Sequence, residues 1–152
     1  MGRVPAYGQL LVFDEDTVYG VHVFTERVRV RRGFTPGGRG YRIFARDLDS
    51  AGGRNEDTWS AHIPVRVRGM VLADHTLFVA GSPDVVPADD PLAAFEGRRG
   101  GELWAIGGAD GKRLGEVQHL DAPPVYDGLI AANGRLFLST IDGRISCFGA
   151  RN

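Results

Sequence analysis

The sequence repeats itself at a constant step, and this step constrains the fold more than any other feature. Three segments each lead from a proline into an apolar strand, a polar turn and a second apolar strand; they begin at Pro5, Pro64 and Pro124. The second strands follow one another at a step of 59 residues and begin at Thr17, Thr76 and Arg135. Self-similarity at a fixed period is typical of repeat architectures.

Further strands recur within the repeat. A third strand is predicted at 41–45, 102–105 and 144–148, and a fourth strand around 58–63 and 113–120, with none predicted for the third repeat. The hairpin signal is strongest where Asp110-Gly111 joins two alternating runs, because both central residues of such a turn need a positive φ. The unit is therefore a four-stranded antiparallel meander with an insertion between its second and third strands.

The predicted fold class is all-β: a β-propeller segment of about three four-stranded antiparallel blades, the last one incomplete. Residues 1–152 form a single propeller segment, with repeats at approximately 5–63, 64–122 and 123–152. Helical signals are weak, because 22 glycines and 8 prolines interrupt the chain. Short strands with regular turns indicate a sandwich, a barrel or a propeller, and a repeated four-stranded unit selects the propeller.

Two segments carry a family resemblance. LWAIGGADGKRLGEV resembles the repeat that closes a blade in pyrroloquinoline-quinone-like (quinoprotein-type) β-propellers, and PPVYDGLIAANGRLFLSTIDGRISCF resembles the half-blade that follows it. The resemblance implies that these are C-terminal blades of a propeller. In that family a tryptophan of the repeat docks neighbouring blades. Here Gly115 stands at the corresponding position, and Trp59 of the first repeat is expected to keep this role once.

An open array of blades predicts a partner. Two blades and three strands cannot close a ring, because propellers use about 4–8 blades. A bare blade face would forgo roughly 10 kcal/mol of apolar burial, which is comparable with the stability of a whole domain. We therefore expect a homo-oligomer, with a dimer favoured over a trimer, or the remaining blades of a larger propeller. Residues before Pro5 or a strand of the partner would supply the fourth strand of the last blade.

The insertion of the second repeat, 82–100, is the main candidate for a functional site. Four carboxylates there could offer oxygens to Ca²⁺, namely Asp84, Asp89, Asp90 and Glu96. Their spacing matches no EF-hand, and the alternative is a solvated loop in which Asp90 caps a short helix at 91–95. The pair Arg98 and Arg99 could clamp a carboxylate or a sulfate, or could simply pair with the nearby acids.

The insertion of the first repeat contains alternating arginines in the run ERVRVRR. Arg29 and Arg31 are candidate ligand-binding residues, although arginines that blunt an edge strand are the alternative. A net charge of −1 and the lack of interleaved aromatics argue against a nucleic-acid partner. Both insertions, 25–40 and 82–100, leave the same point of the blade, so they are expected to form one binding surface.

No catalytic residue is assigned. The histidines lack zinc-site spacing, and Cys147 is interpreted as a small core residue. No apolar run is long enough for a membrane span. No signal peptide is predicted, so the compartment is left open, although the family resemblance implies the periplasm or the cell exterior.

The predicted function is a non-catalytic scaffold or recognition module. The alternative is a fragment of a quinone-dependent dehydrogenase or hydrolase. The first strands GQLLVF, RGMVLA and DGLIAA are almost wholly apolar or small, which favours the module. No cofactor is expected, calcium is left open, and pyrroloquinoline quinone is not expected to bind.

Overall fold

The computed structural model describes residues 9–22, 40–48 and 56–149, and the structural statements below concern these residues. They form eleven β-strands and contain no α-helix. The strands are β1 (Leu11–Phe13), β2 (Thr17–His22), β3 (Tyr41–Asp47), β4 (Trp59–Ile63), β5 (Val65–Ala73), β6 (Thr76–Pro83), β7 (Gly101–Gly107), β8 (Arg113–Leu120), β9 (Pro124–Ala132), β10 (Arg135–Thr140) and β11 (Ile145–Gly149).

The strands form three antiparallel sheets in chain order, which we call blades 1, 2 and 3. Blade 1 is β1-β2-β3-β4, blade 2 is β5-β6-β7-β8, and blade 3 contains β9, β10 and β11. The all-β prediction of a propeller segment with about three blades is therefore confirmed. In the described part of the chain the last blade has three strands, as the sequence predicts.

The period of the sequence reappears in the pairing of the strands. Tyr19 lies opposite Ala45 in blade 1, and Phe78 lies opposite Ala105 in blade 2. Because equivalent residues face each other in both blades, the same alternate positions in each blade point towards the next blade.

Two buried clusters hold the blades together. The larger cluster joins blades 1 and 2 and includes Val21 and Ile43 of blade 1 with Leu77 and Val79 of blade 2. The smaller cluster joins blades 2 and 3 and contains Ala80, Leu103, Leu129, Leu136 and Leu138. Val79 and Ala80 are adjacent in β6 but belong to different clusters, because successive side chains of a strand point to opposite faces. Blade 2 is therefore packed on both faces.

Trp59 fastens blade 1 to blade 2. Its indole nitrogen donates a hydrogen bond to the carbonyl oxygen of Gly108, at 2.7 Å, in the loop between β7 and β8. The expectation that Trp59 docks the neighbouring blade is thus confirmed. Leu114, which lies opposite Ala105 as Trp59 lies opposite Ala45, is 45% exposed.

The third strands carry the recurring aromatics. Trp104 packs against the cluster between blades 1 and 2, and Phe148 packs against the cluster between blades 2 and 3. Phe44 occupies the position of Trp104 in blade 1 and is fully buried at the end of the array, whereas Phe148 lies two residues beyond that position in β11. The guanidinium carbons of Arg42 and Arg46 lie 5.5 and 5.4 Å from the centre of its ring, and both arginines pair with Asp57. The outer part of this end is therefore charged.

The prediction of two positive φ angles in the Asp110-Gly111 turn is wrong. Gly111 has a φ of 71°, whereas Asp110 is not among the residues with positive φ. The amide of Gly107 donates to the carbonyl oxygen of Lys112 at 2.8 Å, and the connection between β7 and β8 has five residues, 108–112. A loop of this length does not need the two left-handed residues of a two-residue hairpin turn.

The short helix predicted at 91–95 does not form. Residues 91–99 make consecutive turns in which the amide of Glu96 donates to Leu92, four residues back, and that of Arg98 to Ala93, five residues back. The register of a regular helix is lost at Gly97, whose φ is 84°.

The interpretation of Cys147 as a core residue is also wrong, because its side chain is exposed. It lies in β11 opposite Phe137, whereas its neighbour Phe148 lies opposite Leu136 and packs towards blade 2. The alternation of β11 therefore places Cys147 on the face of blade 3 that points away from blade 2.

Candidate functional site

The four carboxylates proposed for calcium do not form one ligand set. Asp84 is buried and pairs with Arg66, whereas Asp89, Asp90 and Glu96 lie at the surface. Among the described residues, no group of three or more histidine, cysteine, aspartate or glutamate side chains could hold a metal ion.

Arg98 already has carboxylate partners. Its Nη2 lies 2.6 Å from Oδ1 of Asp90, and the same guanidinium pairs with Glu96. The hydrogen bond from Arg98 is the main reason why the pKa of Asp90 lies below its ordinary value. Arg98 thus follows the second interpretation, in which it pairs with nearby acids, and Arg99 is exposed beside it.

The remaining candidate residues, Arg29 and Arg31, lie outside the described residues, as does most of the first insertion. The expectation that the two insertions share one face stays a prediction.

A buried ion pair anchors the second insertion. Nη2 of Arg66, in β5, lies 3.3 Å from Oδ1 of Asp84, which directly follows β6. The amide of Asp84 donates to the carbonyl oxygen of Pro64 at 2.8 Å, and the ring of Phe95 lies 5.3 Å from the guanidinium carbon of Arg66. Burial raises the pKa of Tyr41, on blade 1, which faces the same pair. Asp84 therefore positions the insertion at 82–100. The sequence did not indicate this role, because Asp84 lies in a run of acidic residues.

A cleft of about 630 Å³ opens between blades 2 and 3. Its base is apolar and includes Phe78, Leu103, Leu136 and Phe148. Its polar lining includes Asp74, Glu116, Gln118, Asn133 and Arg135. The cleft exists because β8 has no fourth strand of blade 3 opposite it among the described residues. The sequence indicated this opening, because no fourth strand is predicted for the third repeat.

The outer face of blade 3 is apolar and exposed. Ile130 is 59% exposed and Ile145 is 72% exposed. Phe137, in the middle strand β10, lies opposite Ile130 of β9 and Cys147 of β11. At the other end of the array Phe13, in the first strand of blade 1, is 71% exposed. The two end blades therefore present apolar side chains to solvent.

The first strands of the blades lie side by side. The hydroxyl of Tyr126, in β9, donates to the carbonyl oxygen of Gln9, just before β1, at 2.9 Å. Nη1 of Arg68, in β5, lies 3.5 Å from the carbonyl oxygen of Pro124. These polar side chains are bonded to the backbone, so their contacts serve to hold the blades together.

Comparison with known proteins adds support for the fold. No protein-family model and no curated protein sequence matches the chain. The chain is similar to the crystal structure of the computationally designed Ika4 protein, with 8% sequence identity and a TM-score of 0.54. The match covers 91% of this chain and 63% of that one, so the chain spans less than two thirds of the designed protein. At this identity the similarity shows the fold alone.

The search for membrane-crossing helices was negative: within the described ranges, no helix is long and apolar enough to span a bilayer.

Proposed function

We propose that the chain is a non-catalytic scaffold or recognition module of the pyrroloquinoline-quinone-like repeat type. Its ring is completed by self-association or by the blades of a longer parent chain. The observation that carries this proposal is the exposed apolar face of blade 3, where Ile130 and Ile145 lie at the end of the array. Covering an apolar face of this kind with another blade removes it from water and lowers the free energy of the assembly.

The two ends of the array are suited to each other. The first strand of blade 1 exposes Leu11 and Phe13, and blade 3 exposes Ile130 and Ile145. The outer part of the blade 1 end carries the charged group of Arg42, Arg46 and Asp57. An apolar centre with a polar rim is the usual anatomy of a protein interface. A contact between blade 3 of one copy and blade 1 of the next would bury both apolar regions.

The competing proposal is a fragment of a quinone-dependent dehydrogenase or hydrolase. It requires polar groups that converge where the first strands meet and remain available to a substrate. Tyr126 and Arg68 reach this region, where the Tyr126 hydroxyl donates to the carbonyl oxygen of Gln9 and Nη1 of Arg68 lies 3.5 Å from that of Pro124. Their hydrogen bonds support the module instead.

The test is the solution mass of the chain, measured by light scattering behind a sizing column. Self-association predicts a discrete oligomer, and Ile145→Arg should reduce it to a monomer because the charge lies in the buried face. Leu92→Arg is the matched control, since Leu92 is 57% exposed in the turns at 91–99, away from the blade faces.

Cys147 supplies a second measurement on the same face. Its thiol should react slowly with an aqueous thiol reagent in the oligomer and quickly in Ile145→Arg. A folded wild-type monomer with a reactive Cys147 would contradict self-association and leave completion by a longer parent chain.

A further inference from the structure

We propose that the cleft between blades 2 and 3, together with the edge of β11 that no described strand covers, binds one extended peptide strand that carries a lysine or an arginine facing Glu116. This inference rests on the proposed function, because it treats the chain as a recognition module and names the class of its partner. The strand would lie antiparallel to β11 and would place alternate side chains in the cleft.

The first argument is the open backbone edge. In blades 1 and 2 the third strand pairs with a fourth strand, whereas β11 pairs with β10 alone among the described residues. The amide of Thr140 donates to the carbonyl oxygen of Arg144 at 3.0 Å, which sets the alternation of the β10–β11 ladder. The backbone groups of Ile145 and Cys147 then point to the open edge. Such an edge can bind an added strand through main-chain hydrogen bonds.

The second argument is the shape of the cleft beside that edge. Leu103 of β7 and Phe148 of β11 both line its base, so an added strand would place inward side chains between the two blades. A volume of about 630 Å³ lies within the range of ligand-binding clefts. The backbone edge and the apolar base thus offer a strand both main-chain bonds and side-chain pockets.

The third argument is charge. Asp74 and Glu116 line the cleft, and within the described residues neither forms an ion pair. In blade 2, the guanidinium carbon of Arg113 in the fourth strand lies 5.6 Å from the ring centre of Trp104. In blade 3 Phe148 holds the place of Ile106, because it lies opposite Leu136 as Ile106 lies opposite Leu77, and Ser146 holds the place of Trp104. A basic residue at the place of Arg113 on the added strand would lie opposite Phe148, as Arg113 lies opposite Ile106, and would project from the same face of the blade towards the carboxylate of Glu116.

Arg135 also lines the cleft, but its Nη1 lies 3.9 Å from Sγ of Cys147, on the opposite face of blade 3. The acidic residues of the lining, Asp74 and Glu116, both belong to blade 2, which is the side that the added strand would face.

The experiment uses a peptide from the chain itself. Residues 111–120, GKRLGEVQHL, contain β8 with its basic residue, and a fluorescent label reports binding through anisotropy. We expect saturable binding, slower hydrogen exchange at the amides of Ile145 and Cys147, and about tenfold weaker binding when Arg113 in the peptide is replaced by glutamate.

Two protein variants separate recognition from bulk charge. Glu116→Arg should weaken binding of the peptide about tenfold, because it puts like charges together in the cleft. Glu15→Arg changes the net charge equally at an exposed position of blade 1 and should leave binding unchanged. Equal effects of the two variants would overturn the proposal.

Two N-methylated peptides test the strand geometry. Because alternate amides of a strand point to opposite edges, methylation of one alternate set should abolish binding while methylation of the other set preserves it. Binding that survives both modifications, or no saturable binding up to about 1 mM peptide, contradicts the proposal.

The results separate this inference from self-association. A monomer that binds the peptide supports the strand site and contradicts self-association. An oligomer should lose mass in excess peptide if a neighbouring copy occupies the β11 edge. An oligomer whose mass and β11 hydrogen exchange are both unaffected by excess peptide supports self-association and overturns the strand site.

Discussion

The indole ring of Trp59 lies so close to Gly111 that a Cβ atom at residue 111 would be 2.5 Å from the ring. The two residues belong to different blades, and the same indole donates its hydrogen bond to Gly108 in the same loop. The contact between blades 1 and 2 thus combines an aromatic side chain, which needs a glycine to pack against, with a specific polar bond.

Replacement of Trp59 by phenylalanine should lower the free energy of unfolding by about 1–2 kcal/mol, because the carbonyl of Gly108 loses its donor. Urea unfolding followed by circular dichroism measures this change. Trp104→Phe is the control, since the indole of Trp104 bonds to Glu102 within its own strand and not across blades. An unchanged urea midpoint for Trp59→Phe would show that the bond between the blades contributes nothing.

Gly111→Ala should destabilise the chain by about 2–3 kcal/mol, because alanine meets both a φ of 71° and the ring of Trp59. Gly143→Ala provides a matched control, because its φ is 81° but no atom lies within 4 Å of the added Cβ. The thermal midpoints of the two variants separate backbone strain from the clash. Equal losses would mean that the ring of Trp59 moves aside at no cost.

Asp84→Asn should cost about 3 kcal/mol of stability, because it removes the carboxylate charge that faces the buried guanidinium of Arg66. Chemical denaturation measures the loss. Asp90→Asn should have a far smaller effect, since the partner of Asp90, Arg98, is half exposed and solvent screens the pair. Similar effects of the two variants would contradict the assignment of Asp84 as the anchor of the insertion.

The Asp90–Arg98 pair should make stability depend on pH in the acid range. The pKa of Asp90 is lowered mainly by the hydrogen bond from Arg98, so the ionised form favours the folded state. This contribution is present above the ordinary pKa of an aspartate and is lost as the pH falls through the lower, folded-state pKa. In Arg98→Gln the carboxyl pKa, followed by NMR, should return towards its ordinary value. A pKa that is unchanged in this variant would assign the shift to the backbone amides.

The extent of the strands could be predicted because their signals are local. The predicted fourth strand at 113–120 is the observed β8, and the predicted three strands of the last repeat are the three strands of blade 3. The candidate site was harder to predict. Asp84 was grouped with its acidic sequence neighbours, whereas the structure pairs it with Arg66, 18 residues away on the neighbouring strand. The sequence also did not show which face of β11 packs against blade 2, so Cys147 was assigned to the wrong face.

The sequence by itself determined the repeat, the strands and the number of blades, because turns and alternating patterns act over a few residues and recur with the period. Only the tertiary structure decided which faces meet, where the cleft opens and which charges are buried. Trp59 and Gly108 are 49 residues apart, and they meet because stacking of the blades brings distant turns together. Such contacts depend on the orientation of whole sheets, which the local pattern of the chain does not encode.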